Sequence, residues 1–395
     1  MHKKTIRMRG VVYLINFLFS FAGAVTLYTN SSYIENSIGP EKVGLLYALS
    51  AIVSILILTK AGPTLKRYGN KMYFFASGTC YALSLLVLSA PVNTILHVVA
   101  LIVYLVTMNM LLFSLNIFFH HLEPKKGRGL ARGFFLLLGN VGIMLGPFCA
   151  GKVIDLGGYA GTYVLGLAIF AVLAIATYIG LGEYKDTTYD FGKFESAFRH
   201  TLRTRTLRNV ISANFILQFF YAWMVVYTPI YLSKYLGFSW DTIGIIFSVM
   251  LATFVILDYP LGKIADWLGS EKELSALGFL LMAGSVFSLA LLNTPTALTV
   301  GALLFISRIG AATVEAMTEI HFFKVAKEDD PGVIALFADV RPLSYVLAPL
   351  LGALALAVLP FQMIFAVLGI ILMIGFVVSF YLEKNETWWV PSHRD

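Results

Sequence analysis

The sequence predicts an all-α membrane protein with twelve transmembrane helices, arranged as two six-helix bundles related by a pseudo-two-fold axis. Three observations predict this fold class: an apolar composition divided into helix-length runs, a one-sided distribution of basic residues, and an internal repeat. Of the 395 residues, 58% are hydrophobic and only 13% are charged, whereas a soluble domain is about 45–50% apolar and about 25% charged. The main solvent of this chain is therefore lipid.

Twelve apolar runs account for the predicted membrane spans. Each is about 20 residues long, which as an α-helix crosses about 30 Å of hydrocarbon. The predicted spans cover residues 11–29, 42–60, 72–90, 95–119, 131–151, 160–181, 210–232, 242–262, 274–292, 297–321, 332–358 and 361–382. The longest polar break, 183–209, leaves no room for a soluble domain.

The basic residues predict the orientation of the chain. If the amino terminus is cytoplasmic, 24 of the 29 Lys and Arg residues lie at the termini or in loops on that side, and only Lys42, Lys152 and Lys234 lie on the opposite side. Cytoplasmic loops of membrane proteins carry such an excess. We therefore expect an even number of spans and both termini in the cytoplasm, with the cell membrane as the location. The net charge of +7 then reflects topology rather than nucleic-acid binding.

An internal repeat relates the two halves of the chain at an offset of about 200 residues. The matched pairs are Gly44 with Gly244, Gly62 with Gly262, Gly69 with Gly269, Asn16 with Asn214, and Pro147 with Pro349. The repeat predicts an amino-terminal bundle at 1–182 and a carboxy-terminal bundle at 210–395. The linker between them, 183–209, alternates phenylalanine and basic residues, which is typical of an amphipathic helix on the cytoplasmic surface.

Two local patterns accompany the repeat. The loop between spans 2 and 3 and its second copy are rich in glycine and charge, with the residues Gly62, Arg67, Gly69 and Lys71 in the first copy and Gly262, Asp266 and Gly269 in the second. Span 5 carries small residues at helical spacing around a proline, namely Gly142, Gly146, Pro147 and Gly151. Such residues let helix backbones approach each other closely, and the proline bends its helix.

Together, the repeat and both patterns resemble the major facilitator superfamily along essentially the whole chain. That family's loop between spans 2 and 3 usually has an acid where this chain has Lys66, although the second copy keeps one as Asp266. The resemblance implies the fold of that family, gating by these loops, and a solute site between the halves at the membrane midplane. Span 4 lacks the arginine that is common in the family's proton antiporters, which puts the usual export route in doubt.

Six ionisable residues lie within the predicted spans, all in the carboxy-terminal half. They are Asp258 in span 8, Arg308, Glu315 and Glu319 in span 10, and Asp339 and Arg341 in span 11. A charge at the centre of a bilayer costs about 2.5–3.5 kcal/mol on insertion scales. We therefore expect these side chains to face a polar cavity, where they would bind solute or protons.

The span 10 residues have the spacing of one helix face. Arg308, Glu315 and Glu319 fall within a stripe about 40° wide, and the two glutamates are close enough to disfavour ionisation of both. A carboxylate that takes up a proton is what proton coupling needs. The alternative is that Glu319, Asp339 and Arg341 form a structural ion-pair network or reach water. Of Asp339 and Arg341, which point to opposite faces, we expect one to line the cavity.

Polar and aromatic residues of three other spans are candidates for the cavity wall. They are Asn16 in span 1, Asn109 and Asn116 in span 4, and Gln218, Tyr221, Trp223 and Tyr227 in span 7. Such a wall suits a partly apolar or sugar-like solute. The pair His120 and His121 is typical of a membrane interface, with a metal site as the alternative. We predict no metal and no cofactor.

These features predict a secondary active transporter that moves a small solute by alternating access, acts as a monomer and is coupled to protons. We predict no enzymatic activity, because the charges do not form a compact cluster at one depth. The span 5 pattern favours efflux by antiport, while the missing span 4 arginine leaves uptake of a sugar-like solute by symport open. In another class, a membrane-embedded enzyme or a lipid scramblase is the alternative.

Overall fold

The computed structural model describes residues 2–124, 127–186, 201, 204–268, 271–325 and 331–382. Its helices are α1 (His2–Leu27), α2 (Asn30–Ile38), α3 (Pro40–Leu58), α4 (Ala61–Ser89), α5 (Thr94–Leu122), α6 (Arg128–Gly180), α7 (Arg205–Ile230), a π-helical turn (Tyr231–Tyr235), α8 (Trp240–Leu268), α9 (Glu271–Leu291), α10 (Ala297–Val325), α11 (Pro331–Leu356), a 3-10 turn (Phe361–Met363) and α12 (Ile364–Ser379). We call α1 to α6 the amino-terminal half and α7 to α12 the carboxy-terminal half. The boundaries of the domains and the linker stay predictions, and most of the linker lies outside the described residues.

The lengths of the helices agree with a multi-spanning chain. Ten helical segments in the described part are long and apolar enough to cross a membrane. The longest, Leu130–Gly180, has 51 residues, which is about twice what one crossing needs, and the backbone leaves helical geometry within it at Gly158. With that break, and with the shorter apolar helix Val340–Leu356, the structure is consistent with the twelve predicted spans.

The two faces of the bundle are named here by the path of the chain. Helix α1 starts on what we call the near side, and α2 ends on the far side, where α3 begins after Gly39. Each later helix crosses the bundle once, except α6, which crosses twice with its break at Gly158 on the far side. By this path α10 runs from the far side toward the near side. These names carry no assignment to a cellular compartment.

The repeat is visible in an equivalent hydrogen bond in each half. The side-chain amide of Asn16 in α1 donates to the carbonyl oxygen of Phe135 in α6 over 2.6 Å. Its repeat partner Asn214 in α7 donates in the same way to the carbonyl of Phe337 in α11 over 3.2 Å. A buried amide that reaches the backbone of a neighbouring helix ties the two helices together. The two halves are therefore held by matching internal contacts.

A second symmetric contact joins one half to the other. Gly44 in α3 lies against the carbonyl oxygen of Pro349 in α11, and Gly244 in α8 lies against the carbonyl oxygen of Pro147 in α6. A Cβ at either glycine would overlap that oxygen, so both helix pairs approach closely only because the residue is glycine. The structure thus places two pairs of repeat-equivalent residues in equivalent contacts between the halves on the far side.

Close packing of α1 against α6 uses the small residues of the predicted span 5 pattern. A Cβ added at Gly142 would come within 2.7 Å of the carbonyl oxygen of Phe17. One added at Gly146 would come within 2.6 Å of the carbonyl carbon of Ala24 and 2.8 Å of the nitrogen of Val25. Because these neighbours are backbone atoms, a side chain at either glycine would push the helices apart.

We expect Gly146→Ala to destabilise the protein by about 1–3 kcal/mol, because overpacking here forces backbone movement. The measurement is the thermal unfolding temperature of the purified protein in detergent. Gly133→Ala on the same helix is the matched control, since no atom lies within 4 Å of its added Cβ. Equal unfolding temperatures for the two variants would contradict the packing described here.

Candidate functional site

The two halves are joined on the far side by an ion pair between a buried carboxylate and a half-exposed lysine. Glu35 in α2 is only 3% exposed, and its carboxylate accepts a hydrogen bond from Lys234 in the π-helical turn of the other half. Beside this pair, the hydroxyl oxygens of Ser32 and Ser233 lie 3.3 Å apart. Burying an unpaired carboxylate is costly, so this contact stabilises the conformation in which the halves meet.

A second ion pair joins the halves on the same side. The ammonium group of Lys152 in α6 lies 2.7 Å from a carboxylate oxygen of Asp241 in α8. Next to it, the rings of Tyr159 and Trp240 meet edge to face with centroids 5.5 Å apart. The far side is thus closed by polar, aromatic and glycine contacts together.

The predicted stripe on α10 becomes more exposed toward the near side. Arg308 is 2% exposed, Glu315 is half-buried, and Glu319 is exposed. Because α10 runs toward the near side, exposure along the stripe increases toward that side. The described contacts between the halves on the far side lie at the opposite end of this gradient.

Helix α7 supplies the groups that hold this stripe. The hydroxyl of Tyr221 donates to a carboxylate oxygen of Glu315 over 2.8 Å. The guanidinium carbon of Arg308 lies 4.9 Å from the ring centroid of Phe220 and 5.5 Å from that of Tyr221. Stacking on aromatic faces stabilises a desolvated cation and leaves the N–H edges of the guanidinium open to other partners.

Arg341 in α11 belongs to the same centre. Both Arg308 and Arg341 lie within electrostatic range of Glu315 and of Tyr28 at the end of α1. Tyr28 also packs against Phe247 of the other half, with ring centroids 4.7 Å apart. The side chain of Arg341 is exposed, and whether it lines the cavity stays a prediction. The side chain of Asp339, its alternative in the sequence, lies outside the described residues.

The predicted amide residues of the cavity wall mainly contact their own half. Besides Asn16, described above, Asn109 donates to the carbonyl of Leu105 and to the hydroxyl of Ser54 in α3. Asn116 donates to the carbonyl of Leu112 one turn earlier. Gln218 is half-buried, and its amide donates to Asn214 over 3.4 Å. Whether any of them contacts a solute stays a prediction.

The two larger aromatic candidates of α7 are fully buried. Trp223 packs between Phe219 and Tyr227, and its indole nitrogen has no hydrogen-bond acceptor among the described residues. The hydroxyl of Tyr227 donates to the carbonyl of Pro349 over 2.6 Å, at the point where Gly44 of the other half approaches. Tyr227 thus lies at the junction of α3, α7 and α11.

The backbone of the first glycine-rich loop forms a hydrogen bond with an acidic residue from elsewhere in the chain. Gly69 has φ 78°, a left-handed conformation that favours glycine. The next backbone amide, that of Asn70, donates to the carboxylate of Asp186 over 2.7 Å, and Lys71 donates to the carbonyl of Gly182. Asp186 follows α6, so it places a negative charge beside this loop, which itself has Lys66 in place of the family's acid.

The remaining residues of the two loops differ in how far the structure describes them. Gly62 and Arg67 lie in α4, and the guanidinium of Arg67 lies 5.0 Å from the ring centroid of Tyr68. Four predicted residues have surroundings that the structure does not describe. They are Asp258, Gly262 and Asp266 in α8, and Gly269 after it. Their predicted roles stay predictions.

The two histidines at the end of α5 have different partners. His120 lies 3.4 Å from a carboxylate oxygen of Glu123, whereas His121 lies 2.8 Å from the hydroxyl of Tyr184. Among the described residues, no group of three or more His, Cys, Asp or Glu side chains could hold a metal ion.

Three residues at the junction of the halves were not predicted from the sequence: Tyr28, Glu35 and Asp241. Tyr28 is one of 20 tyrosines, and nothing in its local sequence distinguishes it. The two acids could have been found from the lysines. Lys152 and Lys234 belong to the small set of lysines that the charge pattern separates from the other basic residues, and an acid is a suitable partner for such a lysine.

Comparison with known proteins agrees with this architecture. Residues 12–334 match the sequence profile described as Major Facilitator Superfamily. Among curated proteins, none matches this chain.

Two solved structures share the fold. The crystal structure of a POT family transporter in complex with 5-aminolevulinic acid superposes with a TM-score of 0.76, at 12% identity over 94% of each chain. A POT family transporter in complex with a thioalcohol-conjugated peptide gives a TM-score of 0.74, also at 12% identity over 94% of each chain. At this identity the likeness concerns the fold. Since the family profile covers most of its length, the chain belongs to the major facilitator superfamily and is a multi-pass integral membrane protein.

Proposed function

We propose that this protein is a proton-coupled secondary transporter of a small solute, in which the two halves rock about a central site. The observation that carries the proposal is the cluster of Arg308, Glu315 and Arg341 between halves that meet on the far side. Ionisable groups inside a membrane are costly unless they serve a pathway. The family and the distribution of these charged residues over several helices support a transporter rather than an enzyme.

Glu315 is the group that we assign to the proton. It lies in the middle of the stripe on α10, and a neutral donor, the hydroxyl of Tyr221, holds its carboxylate. The more exposed Glu319 is the entry point for protons from the near side. A carboxylate whose charge differs between the two access states couples proton movement to the conformational change.

The near side is the cytoplasm in this proposal, because most basic residues lie there. The conformation described would then load or release solute on the cytoplasmic side. Efflux and uptake both use such a state, and the direction follows from whether solute and proton move together or in opposite directions.

We expect Glu315→Gln to abolish solute accumulation driven by a pH gradient while keeping exchange of solute for solute. With one proton per solute, a gradient of one pH unit drives about tenfold accumulation of the solute. In the variant, the solute concentration should become equal on the two sides of the membrane. The measurement uses proteoliposomes and a solute chosen by thermal stabilisation from a panel of sugars, drugs, amino acids and nucleosides.

Two further variants make this experiment specific to Glu315. Tyr221→Phe removes the hydrogen bond to the carboxylate while keeping the ring, and it should weaken coupling without abolishing it. Glu319→Gln should slow proton entry but keep the final accumulation. Proton-driven accumulation that is identical in Glu315→Gln and in the unmodified protein would rule out the assigned role.

A disulfide across the far side should stop transport. In a background in which Cys80 and Cys149 are serine, Ser32→Cys and Ser233→Cys place two thiols where the hydroxyl oxygens are 3.3 Å apart, within the reach of a disulfide. We expect oxidation to abolish solute exchange in proteoliposomes and reduction to restore it. Each single-cysteine variant is the control, and full exchange by the crosslinked protein would show that the far side need not open.

A further inference from the structure

We propose that the solute is an organic anion, whose carboxylate or phosphate group binds Arg308 and Arg341 in the space between the halves. This inference rests on the proposed transport function and adds the chemical class of the solute. It depends on the partners that the two arginines have, and on the group that faces them from the amino-terminal half.

Arg308 is a buried cation that forms no salt bridge with the described residues. It is one of the largest fully buried side chains, and within the described part of the chain its contacts are the ring faces of Phe220 and Tyr221. Its Nε has no hydrogen-bond acceptor there. A buried guanidinium normally forms hydrogen bonds with an acid, so the open N–H groups indicate that an acceptor joins from outside the chain.

Arg341 adds a second positive charge to the same centre. Its contact among the described residues is the ring of Tyr345, 6.0 Å from the guanidinium carbon. Glu315 is within electrostatic range of both arginines, so one carboxylate faces two guanidinium groups. Taken together, these three described groups carry two positive charges and at most one negative charge, so an anionic solute bound to the arginines would balance the difference.

The amino-terminal half presents hydroxyl groups to this centre. Tyr28 is within electrostatic range of both arginines and of Tyr345. Tyr47 in α3 is also within range of Tyr345, and its buried hydroxyl has no partner among the described residues. Guanidinium groups bind carboxylates and phosphates by two parallel hydrogen bonds, and tyrosine hydroxyls can donate further ones. An anion placed here would contact both halves.

Equilibrium binding to the purified full-length protein tests the inference. The probes are lactate, benzoate and glucose 6-phosphate, each compared with its uncharged counterpart, lactamide, benzamide or glucose, at matched pH and ionic strength. We expect at least one anion to raise the thermal unfolding temperature by about 2–4 °C while its counterpart does not. A carboxylate or a phosphate as the best probe identifies which of the two groups binds.

Arg308→Met tests the site independently of the choice of probe. Removing an unpaired buried charge relieves its desolvation, so the ligand-free variant should unfold at the same temperature as the unmodified protein or at a higher one. The stabilisation by anions should be lost in this variant and weakened in Arg308→Lys, which keeps the charge without the planar donors.

Three results would overturn the inference: no anion stabilises the protein, uncharged counterparts stabilise it equally, or Arg308→Met lowers the unfolding temperature of the ligand-free protein. Binding of an anion without flux in liposomes would refute transport and keep the site. Flux of an uncharged solute that Arg308→Met leaves intact would refute the anion site and keep transport.

Discussion

The free-energy cost of placing a charge in lipid determines where the charged side chains of this molecule lie. Charged side chains within the bundle are stable only with a partner or with access to water, and several of those described here lie where the two halves meet. On the far side, Glu35 and Lys152 of one half pair with Lys234 and Asp241 of the other. Deeper in the bundle, Arg308 stacks on aromatic rings instead. The same constraint therefore stabilises one conformation and prepares a site for a charged ligand.

The internal repeat gives this arrangement a simple mechanical basis. Two equivalent glycine contacts, Gly44 against Pro349 and Gly244 against Pro147, join the halves on the far side. Because they are related by the pseudo-two-fold axis, both can separate in one rotation about an axis between them. The matching hydrogen bonds of Asn16 and Asn214 lie within the halves, so they can persist while the halves move as rigid bodies.

The sequence predicts most of the fold, because crossing a bilayer needs long apolar runs that are visible without any tertiary information. The repeat shows that Gly44 and Gly244, and Pro147 and Pro349, are equivalent positions, although it does not show that these glycines contact these prolines. The partners of the polar groups are harder to predict. Glu35 and Lys234, or Asn70 and Asp186, are far apart in the chain, and only the packing of the helices brings them together. The α10 stripe could be derived from helical spacing, whereas its partners on α7 and α1 could not.

The bond between Asp186 and the backbone of Asn70 fixes the point where the chain leaves the amino-terminal half. Asp186 ends the described range 127–186, and it is fastened to the near end of α4 beside the turn at Gly69. The chain after α6 is therefore held at two points, by its covalent link to α6 and by its hydrogen bond to α4. In the proposed rocking motion, α4 and α6 would carry this exit point together.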